Sequence, residues 1–172
     1  VSSIARDIGL DNRTVMKYLQ LLEDTFIIMQ LPSFHRFQKR KDLIRAPKLV
    51  FLDTGIRNFC LGSFTEPLSG RPDAGAILET ALIGEAVKQK GVLDRLYYWR
   101  TKNGLEIDLI TTQGNRIRPV EIKQSKNLSS SDFRALRSFD AIFHPSSSTM
   151  FSLDPERKKG LVENRLWWEF EM

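Results

Sequence analysis

Two glycine-centred turns, Asn103-Gly104 and Gln113-Gly114-Asn115, constrain this chain more than any other feature. Asn-Gly between two apolar, β-prone runs is a strong short-range hairpin signal. The turns separate residues 96–100, 105–111 and 116–123, so the pattern predicts a three-stranded antiparallel meander. Side chains alternate along a strand with a period of two. Strict alternation puts Glu106, Asp108 and Ile110 on one face of the second strand, with Leu105, Ile107 and Leu109 on the other. On the third strand Glu121 and Lys123 point one way, and Val120 and Ile122 the other.

Helical signals flank the meander. Residues 76–90 carry Ile77, Ala81, Leu82, Ile83 and Val87 at helical spacing, with Glu79 and Glu85 as acidic members. Ser129 to Ser131 can cap another helix running through Phe133, Leu136 and Phe139. Residues 150–153 and 166–170 read as two late strands, and Asp53-Thr54-Gly55 with residues 62–75 as a connecting region. The order α-β-β-β-α-β-β describes an α/β (α+β) domain over residues 61–172.

Residues 1–60 read differently. Ser2 or Ser3 can cap a short helix that Gly9 ends, and Asp11 or Asn12 a second helix with Val15, Leu19 and Leu22 on its buried face. A small residue at the crossing (Ala5), a turn residue tolerant of positive φ (Gly9) and an apolar anchor (Val15) are what a helix-turn-helix needs. Residues 26–31 and 48–52 then read as paired strands, which makes the unit a winged helix. The opening at Val1-Ser2-Ser3-Ile4, without an initiator Met and already inside a helix start, predicts a fragment of a longer protein.

Charge is concentrated between those two strands. Arg36, Lys39, Arg40, Lys41, Arg45 and Lys48 face one acid, Asp42, a surplus equal to the whole formal net charge of +5. Such a stripe is the electrostatic footprint of a phosphate-binding surface. It predicts DNA contact through Arg36, Lys39, Arg40, Lys41 and Arg45 of the wing and Asn12, Arg13, Thr14 and Lys17 of the second helix. A protein partner or self-association is the other use of such a module. With 41% hydrophobic and 27% charged residues the chain is neither disordered nor low-complexity. No run approaches the roughly 20 apolar residues that span a bilayer, which predicts no membrane role. The single cysteine, Cys60, excludes an internal disulfide and a cysteine-based zinc site and fits a reducing cytoplasm. It reads as a packing residue, and His35 and His144 as surface or capping residues.

The chemistry lies on the meander. Adjacent antiparallel strands can bring Asp108 beside Glu121, and paired carboxylates repel unless a positive charge sits between them. A divalent cation does this, and hard Mg²⁺ or Mn²⁺ prefers oxygen ligands. A neighbouring lysine, Lys123, can then orient water and hold charge on a phosphate. Glu106 competes with Asp108 for the metal role, since both lie on one face.

Asp108 followed by Glu121-Ile122-Lys123, after a helix bearing Glu79, resembles the core of the PD-(D/E)xK nuclease superfamily. Ile107 stands where many members have proline. The resemblance implies a restriction-endonuclease-like α-β-β-β-α-β domain and a Mg- or Mn-dependent deoxyribonuclease. Asp108, Glu121 and Glu79 would be its metal ligands and Lys123 its catalytic lysine. With Tyr97-Tyr98-Trp99-Arg100 and the helix-turn-helix, the whole chain resembles the C-terminal portion of a prokaryotic AAA+-type ATPase family. In that family an ATPase module precedes a winged helix and a nuclease-like domain of unassigned role. No Walker-type phosphate loop occurs here, so the resemblance implies ATP only through that preceding module. The alternative it leaves is a catalytically inactive nuclease fold used to bind DNA or protein.

Overall fold

The computed structural model describes residues 1–35, 42–63, 67–156, 158–159 and 162–171. Arg36, Lys39, Arg40 and Lys41 of the basic stripe lie outside the described residues. The elements are mixed α and β. Two helices, α1 (Ser2–Ile8) and α2 (Asn12–Asp24), precede a hairpin of β1 (Ile28–Leu31) and β2 (Lys48–Phe51). Then come α3 (Thr54–Leu61), α4 (Ala74–Gln89), β3 (Asp94–Arg100), β4 (Glu106–Gln113), β5 (Arg116–Ile122), α5 (Arg134–Phe143), β6 (Thr149–Ser152), β7 (Lys158–Lys159) and β8 (Val162–Leu166).

The local signals act much as their chemistry predicts. Gly9 ends α1 at φ 68°, and the Asp11 carboxylate caps α2 by accepting from the Arg13 and Thr14 amides. Ser2 and Ser3 do not cap α1: both lie inside its first turn, and Val1 stands at the N-cap without a side-chain bond. Thr54 and Gly55, expected as part of a connection, begin α3, because Asp53 accepts from the Ile56 amide and Gly62 closes the helix at φ 66°. His144 ends α5 in the left-handed region, φ 47°, as a capping residue.

The sheet runs β3-β4-β5-β6-β8-β7. The meander β3-β4-β5 is antiparallel, and β6 lies parallel to β5 after the α5 crossover. The last main strand falls earlier than the aromatic run 166–170 suggests. Asn164 is fully buried within β8 and bonded to Ser152 and to the Asp154 and Glu156 carbonyls, a polar interior position that hides the strand's period. Trp167–Glu169 instead form a 3₁₀ turn, and Trp168 is exposed.

The hairpin belongs to the body of the molecule. Phe34 N donates to Tyr98 O (2.7 Å), Tyr98 N to Pro32 O (3.0 Å), Ile44 N to Arg100 O (2.9 Å) and Lys102 N to Asp42 O (2.7 Å). Residues 32–34 and 42–44, between β1 and β2, thus cover the open edge of β3, which would otherwise present unpaired backbone groups. Two apolar clusters form the core. In one, Leu136 and Phe139 of α5 meet Phe34, Leu43, Trp99, Ile107 and Ile110; in the other, Leu78, Leu82 and Ile83 of α4 meet Leu31, Val50, Leu109, Val120 and Ile122.

Cluster membership corrects the strict alternation expected for β4. Tyr97 pairs with Ile110 but Trp99 with Ile107, so β4 carries one extra residue and positions 108 and 109 both oppose Tyr98. This β-bulge puts Ile110 with Ile107 and sends Leu109 to the α4 cluster. Asp108 sits in the bulge.

Helix α4 is held between the sheet and the hairpin, and Gly84 permits the approach. A Cβ there would lie 2.9 Å from the Leu52 backbone oxygen, which cannot swing aside as a side chain could. Gly84→Ala is expected to destabilise the chain by about 1–3 kcal/mol, as overpacking does. Thermal melting would check this, and an unchanged midpoint would refute the tight α4–β2 contact.

Candidate metal centre

Four carboxylates and two ammonium groups meet where the β4 bulge, the end of β5, α4 and the start of β2 come together. Oxygens of Glu79, Glu106 and Asp108 lie within 4.8 Å of one another. Lys48 enters from β2: its Nζ is paired with Glu79, lies 2.6 Å from Glu106 Oε1 and 3.8 Å from Asp108 Oδ1. Arg100 Nε holds the other Glu106 oxygen at 3.3 Å. Just past the end of β5, Lys123 Nζ stands 2.6 Å from Glu121 Oε1.

Each of the two innermost acids commits one oxygen to the protein. Asp108 Oδ2 accepts from the Ile122 amide at 2.8 Å. Glu121, only 3% exposed, has its Oε1 on Lys123, while its Oε2 is buried with no hydrogen-bond partner. A buried carboxylate oxygen without a donor costs free energy that a cation would recover. The donor set is all oxygen, as Mg²⁺ or Mn²⁺ requires. Asp108 and Glu121, close enough for the charge of one to act on the other, thus offer a hard divalent ion the oxygens it prefers, while Glu79 lies with Glu106 and Asp108 around Lys48. Beside them opens a cavity of about 190 Å³ lined by Glu106, Glu121, Lys123, Asp132 and Arg134 among others.

The electrostatics express the same surplus of negative charge. Burial, then the charge of Glu79, pushes the Asp108 carboxyl well above its ordinary range; burial, then Asp108, does the same to Glu121. Burial works to lower Lys48, but Glu79, Asp108 and Glu106 outweigh it and hold the ammonium above its usual value. Lys123 is likewise raised, its own burial outweighed chiefly by Glu121.

The sequence expectation placed Asp108, Glu121, Lys123 and Glu79 in one site; Asp108 lies with Glu79, and Glu121 pairs with Lys123. Glu106 joins Glu79 and Asp108. Three cations were not anticipated here. Lys48 counted only as part of the basic stripe, yet it turns inward; Arg100 entered only within the segment Tyr97-Tyr98-Trp99-Arg100, and Arg134 carries no motif. The one available signal for Lys48 was its place on a strand rather than in the loop. Of the expected DNA contacts, Asn12, Arg13, Lys17 and Arg45 are exposed, whereas the Thr14 hydroxyl donates to Asp11 Oδ2 at 2.6 Å and is committed to the cap. Cys60 is exposed rather than packed.

Residues 74–162, over half the chain, match the family described as "domain of unknown function (DUF4143)", and residues 1–66 match a second, "domain of unknown function (DUF8612)". The chain belongs to the DUF4143 family, whose domains stand at the C-terminus of AAA-ATPase-like proteins. It is 33% identical over 142 residues to the uncharacterized protein Rv2008c of Mycobacterium tuberculosis and, equally, to the uncharacterized protein Mb2031c of Mycobacterium bovis. The aligned part is 80% of this chain and 30% of each relative, so the chain spans under a third of their length. No solved structure matches it. No helix among the described residues is long and apolar enough to cross a membrane.

The raised carboxyls have a consequence for stability. A carboxyl raised by folding stabilises the fold fully below its unfolded value, about 4, and that contribution is lost as pH climbs through the folded value. In EDTA the wild-type midpoint is therefore expected to fall between pH 5 and pH 8. Glu121→Gln should flatten that fall by a few degrees; an identical pH slope in the variant would refute the strained carboxylate pair.

Proposed function

We propose that this chain is the DNA-associated, C-terminal module of an AAA-ATPase-like protein and carries a metal-dependent phosphodiesterase site. The observation that carries the reading is the pair Asp108 and Glu121: mutually repelling buried acids, one with an orphaned oxygen, beside a lysine and an open cavity. The order α4-β3-β4-β5-α5-β6, with β6 parallel to β5, supports a restriction-endonuclease-like domain. The α1–α2 pair followed by the β1–β2 hairpin supports a winged helix-turn-helix.

Mg²⁺ or Mn²⁺ bound there supplies neutralisation of the acids, an activated water and charge stabilisation for a phosphodiester under attack. Asp108 and Glu121 would hold it. The chain's own groups do the rest. The bulge and the Ile122 amide fix the Asp108 carboxylate, so no reorganisation is needed when charge develops. Lys123 is anchored by Glu121 beside the cavity, where its ammonium can orient water and meet phosphate oxygens. Arg134 lines the same cavity and offers a second cation to the substrate backbone.

DNA is the substrate class that the distribution of charge favours. Arg13, Lys17 and Arg45 are exposed cations, and Asn12 is an exposed amide on the same helix as the first two. Neutralising phosphates with such groups makes binding fall steeply with salt.

Plasmid, branched and single-stranded DNA incubated with the chain and Mn²⁺ or Mg²⁺ test the proposal. Cleavage is expected, lost on EDTA addition and reduced about 100-fold or more in Asp108→Ala and Lys123→Ala, as for removal of a preorganised charge-stabilising group. Cleavage equal to wild type in both variants would exclude this site. DNA retention without any metal-dependent cleavage would leave the module as a binding platform.

A further inference from the structure

Lys48 is the one member of the centre that comes from the hairpin, and its surroundings set it apart from a surface lysine. Its Nζ is paired with Glu79, bonds Glu106 and lies 3.8 Å from Asp108, with the side chain 21% exposed. The ammonium also stands 6.0 Å from the Tyr98 ring centroid. The backbone around it is pinned. The Tyr98 hydroxyl donates to the Ala46 carbonyl, and β2 pairs with β1 from Lys48 onward. The covering of the β3 edge by residues 32–34 and 42–44 fixes the hairpin as a whole.

The three acids around this ammonium are also the group among the described residues whose oxygens approach closely enough to seat an ion. The ammonium and a metal cannot share that space. Glu121, by contrast, leaves its free oxygen outside the Lys48 contacts.

We infer that Lys48 is a built-in cation that bars a divalent ion from the Glu79–Glu106 side and confines metal to Asp108 and Glu121, so that one ion binds per chain. The inference rests on the proposed metal centre and adds to it that Glu79 and Glu106 act as positioning residues for Lys48 rather than as ligands. The cation is supplied by the region matching DUF8612, residues 1–66, and the ligands by the region matching DUF4143, residues 74–162. The N-terminal unit thereby sets the metal content of the C-terminal one.

Calorimetric titration of Mn²⁺ into the wild-type chain, Lys48→Met and Lys48→Arg, with thermal melting in EDTA and in Mn²⁺, tests this without any activity readout. The expected result is about one ion in wild type and in Lys48→Arg, and either a second ion or at least about tenfold tighter binding in Lys48→Met. Lys48→Met should also gain more from Mn²⁺ in its melting midpoint than wild type, a readout that survives even if the variant is unstable without metal. Equal stoichiometry, affinity and thermal gain in wild type and Lys48→Met would overturn the inference while leaving the metal centre standing. Binding in Lys48→Met alone would uphold the exclusion of metal by Lys48 and overturn both the one-ion confinement and the wild-type metal centre. Binding in neither would overturn both.

Discussion

Negative charge buried at the bulged end of a sheet is the constraint around which this molecule is organised. Asp108 and Glu121 lie against apolar clusters that give them little solvent, and Glu79 and Glu106 crowd the same corner. Isolated carboxylates do not survive such surroundings ionised without partners. Two lysines from different elements, an arginine and one backbone amide supply part of the compensation. The remainder, concentrated on one Glu121 oxygen, is where the chain invites a ligand.

That constraint explains features which otherwise look unrelated. The extra residue in β4 lets Asp108 leave the strict alternation while Ile107, Leu109 and Ile110 still reach apolar clusters. Gly84 lets α4 close on β2, which brings Glu79 to Lys48. The backbone bonds from Pro32, Phe34 and Ile44 to β3 cover an exposed sheet edge and fix the strand that carries Lys48. Edge protection and charge compensation are thus achieved by one connection.

The two family matches divide the sequence between residues 66 and 74, but the packing does not follow that division. Leu31 and Val50 belong to the cluster of α4, and Phe34 and Leu43 to that of α5. With Lys48 in the acidic group, the N-terminal region is structurally part of the site.

The sequence by itself determined the local elements and the identity of the inner acids. Asn103-Gly104 and Gly114 dictate the turns, Gly9 and Asp11 the helix ends, and the spacing of Asp108, Glu121 and Lys123 marks the candidate chemistry. These are legible because turn geometry, capping and strand period depend on near neighbours alone. Where a neighbour rule was overridden, the reading slipped. A buried Asn164 masked β8, a capped helix at 54–61 hid behind Gly55, and the β4 bulge broke the period. What only the tertiary structure decided is the company each charge keeps. Lys48 lies 58 residues from Glu106 along the chain, and its salt bridge follows from how the hairpin docks on α4 and β3. No periodicity encodes that docking, because it is set by the closure of a core between distant segments.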